Sequence, residues 1–396
     1  MFKTRLLAGL ALAALCGPAR AFDLTDWNVS PYEADLGGNF SLKVNGAFDG
    51  SAYANDEPAP ALDPAGVTGT GWVGAGIERD YDSGLQISLN SVFEVYRDRL
   101  SVDNYGGDFV QKVFARVQTG LGRVEIGNED GAAYALAATG PVVEGFSSID
   151  NPNATYFRDP ATGRAFADIF ALNSAVESSL NYAKISYYTP RLFGIELAAS
   201  YTPSEGKDVV PFANNGPQVA NRQKSLWELA ASYTGNYGAL SYGLSAGWSV
   251  GHDDNKTPGH AGLTDYAFGA SADYALNDEW KVSFGGAWRH ANAYRFDIDD
   301  VSDSGATTSA HLSAAITHDS WILGGELGQG TAEGSPGEPT YGLHAASATL
   351  GYVVNTNLQV NLGWEQFLYR RDSGVFYDGA PRIKMNAGFL NFEFKV

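Results

Sequence analysis

Strict two-residue alternation, repeated along almost the whole chain, limits this sequence more than any other feature. Residues 40–49 put Phe40, Leu42, Val44 and Phe48 on one side of an extended strand and Ser41, Lys43, Asn45 and Asp49 on the other. Successive strand side chains point to opposite faces, so each such segment has an apolar and a polar side. The pattern returns at Leu85, Ile87 and Leu89 against Gln86, Ser88 and Asn90. It returns again at Leu240, Tyr242, Leu244, Ala246 and Trp248 against Ser241, Gly243, Ser245, Gly247 and Ser249. At the end, Leu390, Phe392, Phe394 and Val396 stand opposite Asn391, Glu393 and Lys395. About sixteen candidate strands follow, near 40–53, 70–81, 85–97, 109–119, 123–129, 180–190, 194–203, 223–235, 239–251, 263–275, 280–293, 307–317, 320–330, 340–353, 356–369 and 382–396. Most are long enough to cross a bilayer at a tilt, which takes about 9–11 residues.

The connectors sharpen the reading. Short turns such as Asp82-Ser83-Gly84, Gly120-Leu121-Gly122 and His318-Asp319 alternate with long acidic loops at 54–69, 204–222, 252–262, 297–306 and 331–339. A membrane barrel has tight turns on its periplasmic rim and long loops on its external rim. Trp72, Tyr81, Tyr187, Tyr188, Trp280, Trp321, Tyr352 and Trp364 fall near strand ends, where headgroup-level girdles form. Ordinary strand propensity also favours aromatics, so the girdles support the reading only beside the alternation and the loop asymmetry. The sequence thus predicts an all-β fold: a 16-stranded antiparallel transmembrane β-barrel, closed because open strand edges cannot face lipid.

The first residues read differently. Met1-Phe2-Lys3-Thr4-Arg5 is basic, Leu6–Leu15 is apolar and Ala19-Arg20-Ala21 fits a cleavage site. We expect a signal peptide over residues 1–21 and the barrel over 22–396. Bulky Leu15 before Cys16, the chain's one cysteine, argues against a lipid anchor. Removing Lys3, Arg5 and Arg20 takes the formal charge from −19 to −22. An acidic chain of this kind is a poor nucleic-acid partner, since phosphate binding needs a basic face. Its acidity fits solvated loops or a cation-attracting lumen.

One connector breaks the rhythm. Residues 130–179 lack convincing alternation and far exceed ordinary loop length. A barrel of this size has an open lumen, into which such a segment can fold. Its acids Asp130, Glu144, Asp150, Asp159 and Asp168 would then face the bases Lys43, Lys112, Arg116 and Lys184 on the early strands, with Arg123 nearby. Opposed charges across a constriction sort solutes by size and charge. The blander alternative is that these bases only keep the lumen wet.

Two motifs carry a family resemblance. Gly122-Arg123-Val124-Glu125-Ile126-Gly127-Asn128-Glu129-Asp130, followed by Ala132-Ala133-Tyr134, resembles the fifth-strand-to-third-loop segment of Gram-negative general porins. Tyr187-Tyr188-Thr189-Pro190-Arg191-Leu192-Phe193-Gly194 through Tyr201-Thr202-Pro203 resembles the sixth-to-seventh strand hairpin of alphaproteobacterial-type porins. The resemblance implies a homotrimer in the cell outer membrane of a Gram-negative bacterium, a third loop in the lumen, and passive diffusion of small hydrophilic solutes and ions. It also implies contact with outer-membrane lipid and lipopolysaccharide, and with the barrel-assembly machinery. By the same match the loop acids and Lys43, Lys112, Arg116 and Lys184 form the two sides of the constriction. Family members end in an aromatic residue that the assembly machinery reads, whereas this chain ends in Val396, which bears on assembly efficiency.

Other readings are weaker. Gly69-Thr70-Gly71-Trp72-Val73-Gly74 fits a dinucleotide pattern, but no helix follows it, so no cofactor is expected. Asp297, Asp299, Asp300 and Asp303 offer oxygens for adventitious calcium on an external loop, although Val301 breaks the EF-hand pattern. His252 and the other histidines show no metal spacing. A substrate-selective channel would need an aromatic track or a dense basic row. A barrel enzyme would need a convincing His–Ser or His–Asp pairing. A purely structural barrel would need a plugged lumen. The diffusion channel with no enzymatic activity, weakly cation-selective, is the leading expectation.

Overall fold

The computed structural model describes residues 31–56, 64–97, 110–150, 172, 174–204, 223–253, 262–292, 305–333, 339–376 and 379–396. The expected signal peptide and the acids Asp159, Asp168 and Asp297–Asp303 lie outside these residues. The strands are β1 (Tyr32–Gly37), β2 (Phe40–Asn55), β3 (Ala65–Asp80), β4 (Gln86–Arg97), β5 (Val110–Thr119), β6 (Gly122–Asn128), β7 (Ala183–Tyr188), β8 (Ile195–Ser204), β9 (Gln223–Tyr237), β10 (Leu240–Asp253), β11 (Thr264–Ala275), β12 (Trp280–Ala291), β13 (Thr307–His318), β14 (Trp321–Ala332), β15 (Tyr341–Asn355), β16 (Leu358–Arg371) and β17 (Arg382–Lys395). Among the described residues one short helix, α1 (Ala132–Ala135), sits in the long connector between β6 and β7.

From β2 onward each strand pairs antiparallel with the next, and β17 returns to β2. The sixteen expected strands therefore close into a barrel, and every boundary falls within a few residues of the alternation. The structure adds β1, which the alternation alone did not separate. β17 pairs with Ala47–Asn55 of β2, and β1 pairs with Phe40–Val44 of the same strand. Val396 exchanges two 2.8 Å backbone hydrogen bonds with Gly46. The chain's last residue and Tyr32 thus lie in one column along β2, and β1 covers edge groups that β17 is too short to reach.

Burial is inverted relative to a water-soluble protein. On β13, Leu312 is 64 % exposed while Ser309 and His311 are buried. The same holds around the ring. Leu327, Leu362, Phe268, Phe284 and Phe392 face outward, and Ser51, Ser186, Ser200, Ser249, Ser283 and Asn361 are enclosed. An apolar exterior with a polar interior suits hydrocarbon outside and water inside. No described helix is long and apolar enough to cross a membrane; the strands do the crossing.

The tight turns have the chemistry their geometry needs. Gly37, Gly38 and Asn39 all adopt positive φ between β1 and β2, and the Asp35 carboxylate accepts the Gly37 N–H at 2.7 Å. Gly122 opens β6 at φ +129, where a Cβ would lie 2.3 Å from the Tyr188 carbonyl oxygen. Asn277 accepts the N–H groups of Glu279 and Trp280, closing the β11–β12 turn.

Leu312→Arg is expected to cost roughly 2–4 kcal/mol, the penalty for a cation near the middle of a barrel's lipid face. Ser271→Arg, on the lumen side of β11, should cost far less. Urea titration in lipid vesicles distinguishes the two, and equal losses would show that the faces are misassigned.

Candidate functional site

The described residues of the segment between β6 and β7 pack against the inward face of the barrel. Its path is set by glycines on the wall. A Cβ at Gly269 on β11 would lie 1.6 Å from the Ala138 carbonyl oxygen, and one at Gly247 on β10 would lie 3.1 Å from the Ala133 Cβ. Gly140 has its Cα 3.1 Å from where a Gly285 Cβ would stand. Val143 meets Gly324 and Gly351, and Leu172 meets Gly328. At these positions the wall carries no side chain, so the loop approaches the wall backbone directly.

Wall side chains then satisfy the loop's polar groups, as buried amides require. Ser200 accepts the Ala132 N–H at 3.1 Å, Glu228 that of Ala133 at 3.1 Å, and Ser245 that of Ala138 at 2.7 Å. Gln359 donates to the Val143 carbonyl at 2.8 Å. Ser148 and Ser178 donate to Glu326 and Asp265 at 2.6 and 2.7 Å. Phe146, Ile149 and Leu172 add an apolar anchor against Leu343, Phe367, Ile383, Met385 and Phe389. The described residues of the loop therefore contact the walls of strands from β8 to β17.

The expected site residues fall into three sets. Lys112 and Asp130 do meet, at 2.6 Å, with Glu129 3.6 Å from the same ammonium. Lys43 and Arg116 meet neighbouring strands rather than loop acids. Lys43 pairs with Glu78 of β3 at 2.6 Å, and Arg116 with Glu125 of β6 at 2.6 Å. Lys184 donates to the carbonyls of Glu129 and Leu180, and to that of Ser179 at 3.3 Å. Arg123 sits 3.4 Å from Glu125 and stacks over Tyr188.

Glu144 and Asp150 turn toward the wall that carries the loop. Glu144 accepts from the N–H groups of Phe146 and Ser147, and from Asn391 of β17 at 2.9 Å. Burial, then the nearby Glu393, pushes its pKa up to about 7 against the pull of those two amides. Asp150 accepts the Ser174 hydroxyl at 2.6 Å and lies 4.0 Å from His311. Burial raises its pKa, and His311 and Ser174 hold it partly back.

Three wall acids escaped the sequence reading. Glu326 on β14 receives Ser148, Ser347 and the ring of His311. Glu228 on β9 holds Ala133. Glu365 on β16 is fully enclosed, with no hydrogen-bond partner among the described residues at either carboxylate oxygen. Their inward parity was readable from Leu323, Leu327 and Trp364 beside them; their convergence under the loop was not. Among the described residues no cluster of three or more His, Cys, Asp or Glu side chains is arranged to hold a metal ion.

A family model described as Gram-negative porin matches residues 8–371. No curated protein sequence matches the chain. Among solved structures, a loop-deletion mutant of OmpT, an outer membrane protein of Vibrio cholerae, superposes with a TM-score of 0.55 at 11 % identity. The anion-selective porin from Comamonas acidovorans gives 0.53 at 13 %, and a triple mutant of the Rh. blastica porin gives 0.51 at 12 %. Each alignment covers 90 % of this chain and 100 % of the other. At such identities these likenesses establish the fold. The family match takes in every strand from β1 to β16, so this chain belongs to the Gram-negative porin family: an outer-membrane β-barrel channel, not an enzyme.

Proposed function

We propose that the protein is a general diffusion channel for small hydrophilic solutes and ions, narrowed by residues 130–179 and weakly cation-selective. The observation that carries this reading is the charge balance of the inner face. Many of the described bases there are already engaged with carboxylates: Lys43 with Glu78, Lys112 with Asp130, Arg116 and Arg123 with Glu125, Arg289 with Asp265, Lys395 with Glu393, while Lys184 is held by the carbonyls of Glu129, Ser179 and Leu180. Glu144, Glu326 and Glu365 have no lysine or arginine partner among the described residues. A water-filled lumen with surplus carboxylates attracts cations. Lys43, Asn90 and Arg123, on the wall that the described loop residues leave free, remain partly exposed, as a solute path requires.

Assembly as a homotrimer is part of the same proposal. The outer faces of β2 and β3 juxtapose Gly50 with Gly69, Phe48 with Gly71 and Ala54 with Ala65, a low-relief surface on which barrels can pack closely. Residues 1–21 serve as the export signal. The likeness to an anion-selective porin does not set the sign here, since selectivity follows from side chains that an identity of 13 % does not preserve.

In a planar bilayer under a KCl gradient, we expect stepwise openings in groups of three and a cation-signed reversal potential. Folded protein that conducts nothing would end the diffusion reading. Lys112→Ala should free Asp130 and strengthen cation preference; an unchanged reversal potential would remove this pair from the solute path.

Glu144 predicts a pH dependence of loop seating. A released loop would carry this carboxyl near its ordinary pKa of 4.5, whereas the seated loop holds it at about 7. Seating therefore takes up a proton. It is fully favoured below the lower value and weakens as pH rises through that window. Open-channel noise should increase from about pH 5 to about pH 8, with a shallower rise in Glu144→Gln. Identical profiles would remove Glu144 as the seat.

A further inference from the structure

Arg371, the last residue of β16, is a cation on the inward face with no carboxylate paired to it. It follows Phe367 and Tyr369 on the enclosed side of the strand and lies opposite Tyr341 of β15. Its backbone N–H donates to the Pro381 carbonyl at 2.9 Å, where β16 passes into the loop that leads to β17. That loop is on the rim opposite the tight turns, the external rim of such barrels. Arg371 therefore stands at the outer mouth of the lumen, half-buried.

The guanidinium is held in place by its surroundings. Its Cζ lies 5.5 Å from the ring centroids of both Tyr341 and Phe376. Nη1 donates to the Val375 carbonyl at 2.8 Å. Phe376 is itself fixed: its N–H donates to the Ala380 carbonyl at 2.8 Å, and its ring joins the apolar anchor of Phe146, Ile149 and Leu172. Nη1 is the one guanidinium nitrogen that has an acceptor among the described residues; Nε is enclosed and has none. The edge formed by Nε and Nη2 is thus left over, and that edge matches the two oxygens of a carboxylate. A charge of the other sign stands one residue on. Asp372 is exposed on the rim and accepts the Thr340 N–H at 2.9 Å. That bond holds its carboxyl below the usual carboxylate range, so it is ionised at neutral pH. Among the described residues neither Arg371 nor Asp372 is in an ion pair, with each other or with any third group.

We infer that Arg371 and Asp372 form a capture site at the external mouth for small zwitterions, namely amino acids and short peptides. The solute carboxylate lies along Nε and Nη2 of Arg371, and its ammonium meets the Asp372 carboxylate, which keeps lone pairs beyond the one Thr340 uses. A solute with one charge of each sign satisfies both groups, which a simple anion or cation does not. Because the rings and Val375 already hold the guanidinium, little side-chain freedom is lost on binding. The role of the site, though not the site itself, rests on the diffusion reading above: solutes gathered at the mouth enter a lumen whose surplus carboxylates suit their ammonium groups.

The test uses the full folded barrel in detergent with glycylglycine as the probe, its binding followed by saturation-transfer NMR. Saturable binding is expected, weakened roughly tenfold by Arg371→Gln. Arg371→Lys keeps the charge and the stem but loses the fork, and should fall between the two, which guards against a displaced loop in the first variant. Asp372→Asn should weaken glycylglycine about threefold and leave acetate unchanged. Glycylglycinamide, which has no carboxylate, should bind the wild type and Arg371→Gln equally weakly. Equal affinity of wild type and Arg371→Gln for glycylglycine would overturn the site. Acetate or inorganic phosphate binding as tightly as the dipeptide would make this a plain anion site and overturn the zwitterion assignment. KCl conductance without the dipeptide tests the diffusion reading separately: a silent barrel that still binds glycylglycine through Arg371 would end that reading and keep the site.

Discussion

Hydrocarbon offers no hydrogen bonds, and the rest of this structure follows from that. Each backbone amide and carbonyl in the band must find its partner within the sheet, so the sheet has to close. Closure fixes a register between the first and last spanning strands, here through Phe48 opposite Phe394 and Gly50 opposite Phe392. Once that register holds, parity sends Leu312, Leu327 and Leu362 to lipid and Ser309, Glu326 and Asn361 to the lumen, since a slip of one residue would reverse every face. The short β1 follows from the same demand. β2 extends past the end of β17, and its remaining edge groups are met by Tyr32–Gly37 instead of being left open.

The second constraint is volume. A loop laid along an inner wall needs space and needs partners for its own amides. The wall supplies space with Gly247, Gly269, Gly285, Gly324 and Gly328, and partners with Ser200, Glu228, Ser245, Gln359 and Asn391. These glycines lie on β10 to β14, and the partners flank them on β8 to β10 and on β16 and β17. Glycine in a strand interior weakens the strand and marks a place where another backbone approaches. In this barrel the approach comes from the connector itself, and the apolar anchor of Phe146, Ile149 and Leu172 holds its far end.

The spanning strands were legible in the sequence because alternation is a local property: Leu240 to Trp248 declare their faces without reference to any other strand. β1 was not, because its six residues do not by themselves name the stretch of β2 that they cover. The seats of the loop were illegible for a different reason. Nothing near Glu144 in the chain announces Asn391, which lies 247 residues away. Lys43 and Arg116, expected on the wall opposite the loop acids, each have a carboxylate beside them that alternation alone did not name. Register places Glu78 and Glu125 within reach on adjacent strands, and an adjacent carboxylate is met before one across a water-filled lumen. Lys112 reached the loop because Asp130 lies only two residues past the end of the neighbouring β6.

The glycine-lined wall also makes the bore of the barrel adjustable from behind. The stand-off between loop and wall is set by methyl groups that are not there: a Cβ at Gly269 would fall only 1.6 Å from the Ala138 carbonyl oxygen. Restoring one would lift the loop toward the opposite wall without altering any side chain that a solute meets. Aperture and lining chemistry are thus separate variables in this architecture. A lineage can retune the caliber through small residues buried behind the loop while the chemistry of the passage stays fixed.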